Sequence, residues 1–277
     1  MTAPPAVLLL DIGNSRIKWA RLPASSHRGY RRGQRFAARG AIDLERFDAR
    51  GAALERLLVS MGPLSRIVVC NVAGAAVERR VRALARRAGV RAPQFIRSSA
   101  AAAGVRNAYA EPWRLGADRW AALIGAHFEY PGRALCLAAV GTALTIDLLD
   151  ERGRHRGGSI IPGPELMIKS LLERTAGIRR RAGPNATQAM ARAAASPGLF
   201  ARDTRGAVTA GALNAAAALI GESMRAARRL LGRSPRLILS GGGAGKVGSR
   251  LRVPFRRGDE LVLRGLAVLR SGQAQLD

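Results

Sequence analysis

The chain has 277 residues, of which 48% are hydrophobic and 4% aromatic, and its formal net charge is +27. That length can bury a good core and suits two lobes, while no apolar run approaches the roughly 20 residues of a membrane span and the N-terminus lacks a signal-peptide pattern. Only Lys18, Lys169 and Lys246 are lysines, which leaves 43 arginines among the 46 basic residues; scattered pairs such as Arg79-Arg80 and Arg228-Arg229, without a nucleic-acid motif, read as solvated helix faces rather than a specific nucleic-acid surface.

Val7 to Leu10 is a short apolar run of the kind a buried strand shows. It runs into Asp11 and then Gly13-Asn14-Ser15, a turn composition, after which alternation at Ile17 and Trp19 predicts a returning strand. The hairpin tip would carry a carboxylate (Asp11), an amide, a hydroxyl and an ammonium (Lys18). Gly13 lets backbone amides close on an anion, and Asp11 can hold a hydrated Mg²⁺ together with substrate phosphates. The same residue types also suit an ordinary hairpin turn.

Residues 41 to 60 have helical spacing (Leu44, Phe47, Leu54, Leu57, Leu58), interrupted by Gly51. Arg66 to Cys70 reads as a strand leading through Asn71-Val72-Ala73-Gly74 into a helix to about Ala88, with Gly89 at the C-terminal cap position. Gln94 to Ile96 is a further strand. Asn107-Ala108-Tyr109 and Pro112 to Trp120 follow, with a helix from near Asp118 through His127. Asp118 is either that helix's cap or a functional carboxylate, and its neighbour Arg119 does not face it on a helix. Leu135–Val140 and Leu144–Leu149 form a second hairpin around Gly141-Thr142-Ala143, and Gly157 to Ile161 is its third strand, so the first architecture repeats. A helix from Pro164 to about Arg174, a long one from Asp203-Thr204 to about Leu231, a strand at Leu237–Ser240 entering Gly241-Gly242-Gly243, a short helix, a strand at Leu251–Phe255 and a helix from about Asp259 to Arg270 complete the chain. Cys70 and Cys136 lie in apolar runs, as reduced buried thiols of a cytoplasmic protein do, and lack zinc-site spacing. Gly243 to Gly248 matches G-x-G-x-x-G without the acidic residue a dinucleotide site needs downstream.

The Asp11-x-Gly-Asn-Ser-x-x-Lys hairpin, the Gly-Thr hairpin and the late Gly-Gly-Gly turn resemble the actin-like ATPase fold. More narrowly, Asp11–Trp19, Asn107–Tyr109, Leu115–Trp120, Gly141–Asp147, Gly157–Gly163, Thr204–Gly211 and Leu239–Gly243 resemble type III pantothenate kinase, in that family's order. The resemblance implies an α/β chain of two duplicated, ribonuclease H-like lobes, 1–115 and 116–277, with a nucleotide cleft between them. It implies ATP-dependent phosphorylation of pantothenate at its primary hydroxyl, the first step of coenzyme A synthesis, by a cytoplasmic homodimer using ATP and Mg²⁺. By position it implies that Asp11, Ile12, Gly13, Asn14, Ser15, Arg16, Ile17 and Lys18 form the first phosphate loop, with Asp11 holding Mg²⁺ through water, and that Thr142 belongs to the second loop. Asp118 would be the proton acceptor. Tyr109, Gly116, Ala117, Asp118, Arg119 and Thr204 would bind pantothenate, with a packed core ring as the lesser reading of Tyr109. One position departs from the family: where it has an Asp ligand for a monovalent cation (K⁺ or NH₄⁺), this chain has Ala139, which puts that cation in doubt. Relatives that include Bvg accessory factor give a second reading, a non-catalytic or moonlighting transcriptional accessory protein.

Overall fold

The computed structural model describes residues 6–23, 29–43, 52–90, 92–185 and 198–270, and the chain divides into two compact units. Unit 1 comprises residues 1–133, 151–156 and 260–277. Its sheet is built on β1 (Ala6–Ile12), whose seven residues are all buried. The antiparallel neighbour β2 (Arg16–Leu22) pairs with β3 (Ala38–Asp43). On the other side β4 (Leu64–Asn71) runs parallel to β1 and is followed by β5 (Gln94–Phe95), giving the order β3-β2-β1-β4-β5. A strand between two others that is covered on both faces reads as a continuous apolar run, which is why Val7 to Leu10 shows no alternation. Helices α1 (Ala52–Ser60) and α2 (Ala75–Arg87) bury Leu54, Leu57, Leu58, Val81 and Leu84 against this sheet. A small hairpin, β6 (Ala101–Ala102) and β7 (Val105–Arg106), precedes α3 (Ala117–Glu129).

Unit 2 comprises residues 134–150 and 157–259. It repeats the pattern with β8 (Leu135–Val140), β9 (Ala143–Leu149), β10 (His155–Pro162), β11 (Arg236–Ser240) and β12 (Phe255–Arg257) in the order β10-β9-β8-β11-β12. As in unit 1, the first two strands are antiparallel and the fourth runs parallel to the first. The expected duplication therefore holds strand for strand. Helices α4 (Pro164–Arg174), α5 (Ala176–Ala182), α6 (Thr204–Leu231) and α7 (Ala244–Gly248) complete the unit, with Leu213, Ala216 and Ile220 of α6 buried against β8 and β9. Among the described residues no helix is long and apolar enough to cross a membrane.

Three details differ from the sequence-based reading. Residues 41–43 belong to strand β3, not to a helix; Leu44, Phe47 and Gly51, like residues 186–197, lie outside the described residues. The strand expected at 251–255 lies at 255–257. The division expected at 115/116 does not coincide with the compact units, because α3 packs on the C-terminal helix α8 (Leu261–Leu269) inside unit 1. Glycines allow that approach: a Cβ on Gly125 would collide with the Leu261 carbonyl, and one on Gly265 with that of Ala121.

Candidate active site

Asp11 is the penultimate residue of β1, paired across the sheet with Lys18 on β2 and Cys70 on β4. It is not an exposed tip residue: it is only 9% exposed, and the tip proper is Gly13-Asn14-Ser15, closed by a hydrogen bond from the Gly13 N–H to the Arg16 carbonyl (3.0 Å). Burial pushes the Asp11 carboxyl up from 3.8 to about 6; Lys18 works against this and the nearby charge of Asp118 adds to it. Ile12 and Ile17 point into the core, so their share in any phosphate loop is through the backbone. The Arg16 side chain is paired with Asp43 at 2.9 Å. Asn14, Ser15 and Lys18 are exposed.

The second carboxylate, Asp118, stands in the first turn of α3. Gly116, not Asp118, occupies the cap position, and the Asp118 Oδ1 accepts the Arg119 N–H at 2.8 Å. Gly116 makes room for that carboxylate, since a Cβ there would lie 2.6 Å from Asp118 Oδ1. The adjacent Trp120 is fully buried and anchors the turn. Arg119 turns away from Asp118: its guanidinium, 6% exposed, donates to the Tyr109 hydroxyl at 2.9 Å and lies 5.6 Å from the ring centroid. Tyr109 is half-buried and sits in a loop stapled by Asn107, whose Oδ1 accepts the Tyr109 N–H (3.0 Å) and whose Nδ2 donates to the Pro112 carbonyl (3.1 Å). Unit 1 thus brings Asp11, Asp118 and Lys18 into one electrostatic group and joins it to the Arg119–Tyr109 pair through adjacency on α3.

A buried carboxyl, Asp11, and a half-buried one, Asp118, with one ammonium nearby make a site short of positive charge. That fits a hydrated Mg²⁺, which takes one or two carboxylates plus substrate phosphates. Among the described residues no cluster of three or more His, Cys, Asp or Glu could hold a metal by itself, so the phosphates would have to supply ligands. Cys70 lies beside Asp11, and burial with the two carboxylates pushes its thiol well up; it is an inert packing residue.

In unit 2 the exposed tip Gly141-Thr142 is held from two sides. The Gly163 N–H donates to the Thr142 carbonyl at 2.8 Å, and the Gly243 N–H to that of Val140 at 3.1 Å. A Cβ at Gly163 would overlap the Gly141 carbonyl; one at Gly241, where φ is +90°, would overlap that of Val140. Ala139 is the penultimate residue of β8, as Asp11 is of β1, and pairs with Thr145 and Ser240. Its methyl group offers no ligand atom, so the residue at this position does not fit a monovalent cation. Thr204 opens α6 behind its cap Asp203, which accepts the Gly206 N–H at 2.8 Å. The sequence pattern misses His155, which no motif marks, and the holding contact made by Gly163, while Cys70 is the buried free thiol its apolar run predicts.

The model of the type III pantothenate kinase family matches residues 7–226. The chain is 40% identical to a type III pantothenate kinase of Aromatoleum aromaticum over 95% of its length and 97% of the relative's, and 40% identical to one from Burkholderia thailandensis over 95% and 96%. Among solved structures, MreB5 of Spiroplasma citri bound to ADP superposes with a TM-score of 0.54 at 10% identity over 98% of both chains. The fold is that of the actin-like ATPases.

Proposed function

The chain belongs to the type III pantothenate kinase family, and we propose that its Asp11–Asp118 centre transfers the γ-phosphoryl group of ATP to the primary hydroxyl of pantothenate, opening coenzyme A synthesis. The observation that carries the reading is the convergence of a strand-end carboxylate, Asp11, with a helix-start carboxylate, Asp118, in a chain whose relatives are kinases. Those relatives lend no support to a transcriptional accessory role.

Phosphoryl transfer asks a protein for in-line positioning and charge neutralisation more than for covalent chemistry. Asp118, given room by Gly116, takes the proton from the pantothenate hydroxyl; that oxygen bonds to the γ-phosphorus as the bond to the β-phosphate oxygen breaks and ADP leaves. Arg119 faces the pantothenate carboxylate, which a guanidinium can grip with two hydrogen bonds, and Tyr109 fixes the direction of that guanidinium. In unit 1 the backbone from Asp11 to Lys18 and the Lys18 ammonium bind ATP phosphates; in unit 2 the Thr142 tip is a second phosphate loop. Asp11 would hold a hydrated Mg²⁺, and Mg²⁺ when bound would neutralise charge on the phosphates. The enzyme works in the cytoplasm as a homodimer, with Thr204 at the start of α6 contributing to the pantothenate pocket. The test is incubation of the purified protein with Mg·ATP, with and without pantothenate, reading ADP release and phosphopantothenate by mass. Pantothenate-dependent ADP release with stoichiometric product is expected; ATP hydrolysis indifferent to pantothenate would overturn the reading.

A further inference from the structure

The turn from β9 to β10, residues 151–156, counts with unit 1 and is pressed into it. The Arg106 N–H donates to the Gly153 carbonyl at 2.9 Å, Arg106 bridges to Arg154, and a Cβ on Gly153 would overlap the Gly104 carbonyl. This seating delivers His155, 3% exposed, to the ring of Tyr109. The two rings stack with centroids 6.0 Å apart and 18° between planes, and His155 Nδ1 faces the Ala108 N–H at 3.5 Å. Tyr109 is therefore fixed at three points: its N–H by Asn107, its ring face by His155 and its hydroxyl by Arg119. Asn107 alone would set the backbone and leave the ring free to turn. Burying an imidazole and a guanidinium around one half-exposed ring costs desolvation that aliphatic side chains would avoid, so packing alone is a poor reason for this arrangement.

We propose that His155 is a positioning residue for the acid end of the substrate: it holds the Tyr109 ring, and through it the Arg119 guanidinium, in the orientation that receives the pantothenate carboxylate. The inference rests on the reading that Tyr109 and Arg119 bind pantothenate. His155 itself need not touch substrate.

The experiment compares wild type, His155→Ala, His155→Phe, Tyr109→Ala and the Tyr109→Ala/His155→Ala double variant, measuring kcat and both KM values alongside melting temperature. His155→Ala should raise KM for pantothenate tenfold or more and leave KM for ATP within twofold. His155→Phe keeps a ring for the stack but loses the acceptor, and should raise KM for pantothenate about threefold at an unchanged melting temperature, which keeps the proposal testable if the alanine variant does not fold. In the Tyr109→Ala background, His155→Ala should add less than twofold, because the ring it positions is gone. Equal effects in both backgrounds, or a loss confined to kcat and melting temperature, would overturn the positioning role. A wild-type enzyme that ignores pantothenate would sink the underlying reading instead; a wild type that phosphorylates it, with His155→Phe indistinguishable from it, would sink this inference alone.

Discussion

Replacing Asp11 by Asn should make the ligand-free protein more stable at neutral pH while removing activity. The carboxyl is raised from 3.8 to about 6 because folding strips water from it. A group raised in this way lends stability that is fully present below the unfolded value and is lost as pH rises through the folded one. The gap corresponds to about 3 kcal/mol at roughly 1.4 kcal/mol per pKa unit, an upper bound because the folded chain can relax around the charge. Asn keeps the shape and abolishes the ionisation. In EDTA without nucleotide, the variant should therefore melt higher than wild type at pH 8, by about 2–4 °C per kcal/mol gained, and the difference should vanish near pH 4. Mg·ATP should reverse the order, since ligand binding stabilises only the protein that binds it. Thermal melts at pH 4, 6 and 8 decide the matter. A variant no more stable than wild type at pH 8 would show that Asp11 is not a strained buried charge held for a cation.

Three further outcomes follow from the same geometry. Tyr109→Phe removes the hydroxyl that accepts from Arg119 at 2.9 Å; leaving a buried donor short of a partner costs about 1–2 kcal/mol, and steady-state kinetics should show it as a rise in KM for pantothenate with KM for ATP unchanged. Gly163→Ala places a methyl group against the Gly141 carbonyl and must displace the Thr142 tip, so KM for ATP should rise at least tenfold, about 1.4 kcal/mol, while isothermal titration with pantothenate alone stays within twofold. With Ala139 paired only to Thr145 and Ser240, turnover should change less than about threefold, roughly 0.65 kcal/mol, when K⁺ is replaced by a bulky organic cation; ionic strength must be held constant, because a +27 protein answers to salt in general. Tenfold activation by K⁺ would show that other oxygens rebuild the site.

Short apolar runs and turn residues make both hairpins, their duplication and the two carboxylates legible in the sequence, because a buried strand's continuous apolar run and Gly-Asn-Ser or Gly-Thr tips are local properties. What is not local stays hidden. Asp11 looks like a tip residue until β4 is laid beside β1 and buries it. The compact units are not bounded after residue 115, because α3 packs on a helix that follows some 130 residues later, through contacts at Gly125 and Gly265 that leave no periodic mark. Ala38 to Asp43 alternates weakly beside a stronger helical spacing, and the strand prevails because β2 offers it a complete ladder. His155 belongs to no motif; only the fold of the β9–β10 turn brings it to Tyr109.

The most direct test of the Asp118 assignment is the pantothenate-dependent turnover of Asp118→Asn at saturating Mg·ATP. The carboxylate is in the first turn of α3 but is not its cap, so the variant should fold, melt within a few degrees of wild type and bind ATP with unchanged affinity. Its kcat should fall by roughly 10²–10⁴, the usual worth of a positioned general base. Turnover near the wild-type value would contradict the account, because no proton acceptor would then be needed at Asp118.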